Sequence, residues 1–334
     1  MALLFMDGFD AGDFAQKWTN ATCSSSTTTR FASGRSIYMA NYGGHIQRSF
    51  PASSEVFFGA AILYANTTLR DPFGSSYAVS FFGDSGSVRH VSIATNSTGC
   101  WIALVGTTQV AASLPILRAG CWDYVEVRAV IADSGGRIVL KVNGASVIDY
   151  TGDTKNGGTA ASVDMVYLTA ISSANTDQYY DDIYLCDATG AAPYNTFLGD
   201  VRVQTLIPNG AGASTQFTPS SGANYTTVDE LPYSATDYVQ SNTSGNRDTY
   251  TFSDLSNVGT IYGVQNNFIA KKTDAGSLSL KSAVKSGASV YYGSSAVLAT
   301  NDATVSDTRS QDPNTSAAWT QSGVNALEAG FEVV

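Results

Sequence analysis

Apolar and polar residues alternate along this chain with a period of two, most clearly in CWDYVEVRAVIADSGGRIVLKVNGASVIDY, Cys121 to Tyr150. Val125, Val127 and Ala129 alternate with Glu126 and Arg128, which gives an extended strand one apolar and one polar face. Residues 138–142 (IVLKV) predict a second strand and 146–150 (SVIDY) a third. Ser134-Gly135-Gly136 makes the first turn. Asn143-Gly144 makes the second, because a two-residue type I′ hairpin needs positive φ at both central positions.

The same pattern recurs with turns about every ten residues. Strands are predicted at 2–6, 36–41, 45–50, 55–64, 76–82, 88–95, 101–106, 122–131, 137–142, 146–150, 163–171 and 178–186. The segment DATGAAPYNTFLGD (187–200) interrupts the alternation with Gly, Pro and small residues. Strands then resume at 200–207, 225–229, 247–253, 259–272, 277–286, 288–292, 296–300, 303–309 and 324–334, with room for a short helical turn around 322–327. This predicts an all-β chain of two β-sandwich domains, 1–188 and 199–334, joined by a linker at 189–198. The apolar end, Phe331-Glu332-Val333-Val334, is expected inside a sheet, where it exposes no sticky edge.

Composition agrees with strands and turns. Charged residues are 14% of the 334, and glutamate, a good helix former, occurs five times. The net charge of −10 divides evenly, −5 over 1–190 and −5 over 191–334. No basic run exceeds Lys271-Lys272, which argues against nucleic acid as a partner. No segment approaches the roughly 20 apolar residues of a membrane span. The start, MALLFMDGFD, lacks the basic region of a signal peptide, so assembly in a cytoplasm is expected. The six Asn-x-Ser/Thr sequons, at Asn20, Asn66, Asn96, Asn224, Asn242 and Asn314, are then read as features of a polar surface. Cys23, Cys100, Cys121 and Cys186 form no CxxC pair, and a Cys100–Cys121 disulfide is not favoured in that setting.

Several phrases carry a family resemblance. Phe5-Met6-Asp7-Gly8-Phe9-Asp10 with Trp18, Gly34-Arg35-Ser36-Ile37-Tyr38, Trp122-x-Tyr124-x-Glu126, Val142-Asn143-Gly144 and Tyr179-Tyr180-Asp181-Asp182-Ile183 follow one another in order. Together they resemble the concanavalin A-like (laminin G-like) jelly roll found in structural proteins of tailed-bacteriophage virions. GDVRVQTLIPNG, DTYTFSDL, TIYGVQNNFIAKKTDAG and AAWTQSGVNALEAGFEVV, in residues 199–334, are similar to the half that follows that jelly roll in the same proteins. The resemblance implies a non-enzymatic structural component of a virion (tail, fibre or appendage, or capsid decoration), built from copies of itself as a homotrimer and from other virion proteins. A lectin-like module binding host cell-surface carbohydrate is the alternative.

The search for chemistry returns little. Glycosidases need two carboxylates flanking the scissile bond, which the glucanases of this fold carry at alternate positions of one strand, and the i±2 neighbours of Glu126 are Tyr124 and Arg128. Asp181 and Asp182 are adjacent, so regular alternation would turn them to opposite faces. His45 and His90 both lie in alternating strands, read as polar sheet faces, and neither adjoins a nucleophile elbow. No phosphate loop, dinucleotide fingerprint or zinc cluster is present. The expectation is no catalysis and no cofactor. Calcium is the one ion that the resemblance suggests, with Asp7, Asp10, Asp181 and Asp182 as candidate ligands. The tyrosine pairs 179–180 and 291–292, and Tyr262 near Asn266-Asn267, are where a sugar platform would be sought.

Overall fold

The computed structural model describes residues 3–11, 17–19, 21–31, 34–40, 44–65, 77–170, 177–255 and 258–334. Positions 2, 41, 76 and 171 of the predicted strands, and the sequons at Asn20 and Asn66, lie outside them. The chain is all-β and falls into two compact units, residues 1–203 and 204–334.

Unit 1 comprises β1 (Leu3–Asp7), β2 (Ser24–Ser26), β3 (Ser36–Met39), β4 (His45–Ser53), β5 (Glu55–Tyr64), β6 (Val79–Gly83), β7 (Val88–Thr95), β8 (Cys100–Val105), β9 (Thr108–Pro115), β10 (Trp122–Val130), β11 (Gly136–Val142), β12 (Ala145–Gly152), β13 (Val163–Thr169) and β14 (Gln178–Asp187). One sheet has the order β12-β11-β10-β5-β14-β3-β2, with β1 also paired to β14; the other runs β4-β13-β6-β7-β8-β9. The alternation seen in the sequence packs the core: Val125, Val127 and Ala129 meet Phe58, Phe81, Ile93 and Trp101 in one buried cluster. Asn143 and Gly144 turn at φ 50° and 81°, as a type I′ hairpin requires.

β5 is buried along nearly its whole length because both of its faces are covered. Tyr184 lies over Gly59, and Phe197 meets Phe57 edge-on at 5.4 Å. The segment 189–198, which the sequence suggests as a linker, is therefore part of unit 1. Leu198 N–H donates to Tyr184 Oη at 3.2 Å, and Gly199 N–H donates to Glu126 Oε1 at 2.8 Å. Apolar spacing alone could not reveal this, because the docking groups are a single Phe, a single Leu and two backbone amides.

Unit 2 comprises β15 (Pro208–Thr215), β16 (Thr218–Pro219), β17 (Val239–Gln240), β18 (Arg247–Phe252), β19 (Val264–Ala270), β20 (Ser279–Ser286), β21 (Ser289–Val297), β22 (Ala303–Arg309) and β23 (Glu328–Val333). Its main sheet has the order β15-β18-β23-β20-β21, and β19 and β22 form a separate ribbon. Phe331 of β23 joins the layers, packing against Phe217, Tyr250 and Phe268 at 5.1–6.1 Å. The chain end is thus a central strand. Helix α1 (Gln321–Asn325) precedes it, its first turn capped by the Thr320 hydroxyl accepting from Gly323 N–H at 3.0 Å. The strand expected at 200–207 forms instead at 208–215, and 225–229 opens as a short 3₁₀ turn at Asn224–Thr227. The 3₁₀ turn is closed locally: Thr226 N–H donates to the Ala223 carbonyl at 3.1 Å, and the Thr226 and Thr227 hydroxyls donate to the Ala223 and Asn224 carbonyls at 2.8 and 2.9 Å.

Candidate functional site

The four candidate aspartates all fall in unit 1, near the pairing of β1 with β14, where Asp7 lies opposite Ile183. Asp7 is consumed by its own segment. Its Oδ1 accepts from Phe9 N–H at 3.0 Å and Lys17 Nζ at 2.7 Å, and its Oδ2 accepts from Trp18 Nε1 at 2.8 Å. Asp10 Oδ1 accepts from Arg35 N–H at 3.0 Å, and Gly34, at φ 104°, leaves it room where a Cβ would collide.

Asp181 and Asp182 sit in an irregularity of the β14–β5 ladder, with Asp182 at φ 51°, so the regular alternation expected for them is interrupted. Both are buried. Asp182 Oδ1 accepts from Val203 N–H at 2.8 Å, and Oδ2 accepts from Arg30 at 3.3 Å. Arg30 also pairs with Asp200, donates to the Val201 carbonyl at 3.1 Å and stands 5.0 Å over the Tyr124 ring. Burial, joined by the charge of Asp182, pushes the Asp181 carboxyl up to about 8. Burial also raises Asp182, opposed by the Val203 N–H and Arg30.

This arrangement does not fit a calcium site. Asp7 and Asp182 each already hold a cationic side chain, and among the described residues no three His, Cys, Asp or Glu side chains are grouped to hold a metal ion. The aspartates instead stitch the first segment, β14 and residues 200–203 together. Glu126 is likewise buried and structural, accepting from Tyr184 Oη at 2.6 Å. The four cysteines are free.

The second region is the outer face of the six-stranded sheet of unit 1. Cross-strand register places Gln47, Tyr167, Ser80 and Ser92 in one row. Tyr167 stacks on His45 at 5.2 Å and meets Phe82 edge-on at 5.9 Å; all three rings are half-buried. Ser80 and Ser92 share a hydrogen bond of 2.9 Å. Beside the row, Arg89 lies 4.0 Å over the Tyr77 ring and donates to its hydroxyl at 3.0 Å. Ser80 and Ser92 are buried, so the accessible part of the row is the rings of Tyr167, His45 and Phe82 with the Gln47 amide, and aromatic faces next to an amide can take the CH faces and hydroxyls of a sugar ring. Composition gave no pointer to this row; its only sequence signal is Tyr167 at an outward position of a predicted strand.

His90 differs from its expected place on a polar face. It is fully buried and donates from Nδ1 to the Lys155 carbonyl at 2.5 Å, while Gly83 and Gly158 crowd its ring. The loop 153–160 covers it. The tyrosine pair 179–180 divides between faces: Tyr180 is buried and donates to the Ala78 carbonyl at 2.7 Å, whereas Tyr179 packs on Tyr38 at 5.2 Å. Tyr292 is 41% exposed, with Lys281 4.1 Å over its ring and its hydroxyl donating to Glu332 at 2.6 Å.

No protein-family model matches the chain, and no curated protein matches it. Solved structures of similar fold include a structure titled "Sialidase" (14% identity, TM-score 0.41), covering 56% of this chain and 19% of that one. "Cellulose induced protein, Cip1" is 18% identical (TM-score 0.38), covering 59% of this chain and 100% of the other. The alginate lyase Aly36B is 12% identical (TM-score 0.39), covering 55% and 95%. The chain thus spans about a fifth of the sialidase. These are likenesses of fold. They correct one expectation: sandwiches of this kind include structures titled sialidase and alginate lyase, so the missing glucanase-type carboxylate run does not make the chain a non-enzyme. Among the described residues no helix is long and apolar enough to cross a membrane.

Proposed function

We propose that the chain is a structural component of a tailed-phage virion, in the tail, a fibre or appendage, or a capsid decoration, acting in assembly and surface presentation. The observation that carries this reading is the ordered series of phrases, from Phe5-Met6-Asp7-Gly8-Phe9-Asp10 to AAWTQSGVNALEAGFEVV, running through two consecutive β-units. The fold is suited to it. Each unit has its own buried core, and the chain end is a central strand. The working partners are other virion proteins and copies of the chain, as a homotrimer with the closed symmetry usual in homo-oligomers. Light scattering after size exclusion tests self-association: a mass three times 35.0 kDa is expected, and a monomer at every concentration counts against it. Immunogold labelling of purified particles from the source lysate tests the location.

The row around Tyr167 favours a second reading, a host-recognition surface for carbohydrate. A glycan array with the full-length chain is expected to return a ligand whose binding drops at least tenfold in Tyr167→Ala. Unchanged binding in that variant, or an array without any ligand, removes the reading.

A further inference from the structure

We propose that Asp181, Asp182 and Arg30 form a pH-operated latch that holds residues 200–203, the last of unit 1, and releases them as the pH rises.

Residues 200–203 belong to no strand. Among the described residues, their hydrogen bonds and ion pairs all end on two side chains. Arg30 pairs with Asp200 and donates to the Val201 carbonyl at 3.1 Å, and Asp182 Oδ1 accepts from Val203 N–H at 2.8 Å. Arg202 also lies 4.4 Å over the Phe31 ring, and Val203 lies against Gly8.

Both anchors adjoin one further carboxyl group. Arg30 and Asp182 pair with each other at 3.3 Å. The Asp181 carboxyl accepts from Asp182 N–H at 2.8 Å and from the backbone N–H of Arg30. All three are poorly exposed: Asp181 6%, Asp182 1% and the Arg30 side chain 13%. The charged groups facing Asp181 are Asp182 on its own strand, Asp10 from the segment after β1, and Arg30 from the β2–β3 loop, with Asp200 beyond Arg30. Arg202 acts on Asp182. Tyr124 lies under the Arg30 guanidinium and, kept protonated by its burial, donates to the Asp182 carbonyl at 3.1 Å.

The cation is shared, and that makes the latch. With Asp181 neutral, Arg30 faces one buried carboxylate and has charge left for Asp200. With Asp181 ionised, two buried carboxylates and Asp200 draw on the same guanidinium. A buried carboxylate without a cation of its own is costly. Water relieves that cost once 200–203 lift away. Burial and the charge of Asp182 push the latched Asp181 carboxyl up to about 8, and release returns it toward 3.8. The latched state therefore holds a proton that the released state gives up. Latching is strongest below pH 4, weakens as pH rises toward 8 and stays constant above it.

Hydrogen exchange of the full-length chain at pH 5 to 9, corrected for the intrinsic rate at each pH, tests the latch. The Val203 amide should open about a hundredfold more often at pH 8 than at pH 5 and level off by pH 9. At every pH it should open more often than the Val127 amide, in the buried centre of β10. In Asp181→Asn the rise should shrink to less than about tenfold. A flat wild-type profile, or an equal rise in Asp181→Asn, overturns the latch. So does Val203 opening that matches Val127 at every pH, because 200–203 would then leave only when unit 1 unfolds.

Discussion

At the scale of single residues, buried carboxylates are the feature most sensitive to conditions. Asp181 has a folded pKa pushed up to about 8 from an ordinary 3.8, so the folded state holds a proton that the unfolded chain releases. The contribution of this group to folding stability is then fully present below pH 4, falls as pH rises toward 8 and levels off above it. Asp182, raised by the same burial, acts in the same direction. Asp181→Asn keeps an acceptor for the Asp182 N–H and removes the charge, so it should stabilise the protein by about 3 kcal/mol at pH 8 and little at pH 4. Urea denaturation at both pH values measures this, and an equal effect at the two would contradict the assignment. Gly59 is a steric counterpart, since any Cβ there meets the Tyr184 ring. Gly59→Ala should therefore cost about 3 kcal/mol through overpacking, with loss of the Tyr184–Glu126 hydrogen bond. A melt unchanged by this substitution would show that the ring moves aside freely.

At the scale of elements, the β11–β12 hairpin was legible from its sequence because its information is local. Period-two alternation names the faces, and Asn-Gly names the turn. Asn143 does more than turn. Its Oδ1 accepts from Tyr124 N–H at 2.8 Å, and its Nδ2 donates to Asp123 at 2.7 Å, fastening the hairpin to β10. Asn143→Ala places alanine at positive φ and strands those partners, so a loss of about 2 kcal/mol is expected in chemical denaturation. Elements of unit 2 were less legible. The strand predicted at 200–207 and the two predicted at 288–292 and 296–300 became one strand at 208–215 and one at 289–297. Bulges and small residues blur the period there, and only pairing with β18 and β20 sets the ends.

For the whole molecule, two units with separate cores should unfold as two cooperative events. Phe331→Ala empties the contact with Phe217, Tyr250 and Phe268, and should lower one calorimetric transition by about 3 kcal/mol while the other keeps its temperature. A single transition that shifts as one would show the units to be coupled.

The sequence by itself determined the all-β class, the division into two sandwiches, the Asn143-Gly144 hairpin and the inward alternation of the core strands. Each of these is written in neighbours along the chain, where periodicity and turn chemistry act. Only the tertiary structure decided the rest: that 189–198 docks on unit 1, that His90 is covered, that Asp7 and Asp182 already hold Lys17 and Arg30, and that Tyr167, His45 and Phe82 share a face. Those contacts join residues from 10 to 152 positions apart, and strand register, which brings the distant ones together, depends on the pairing of whole strands.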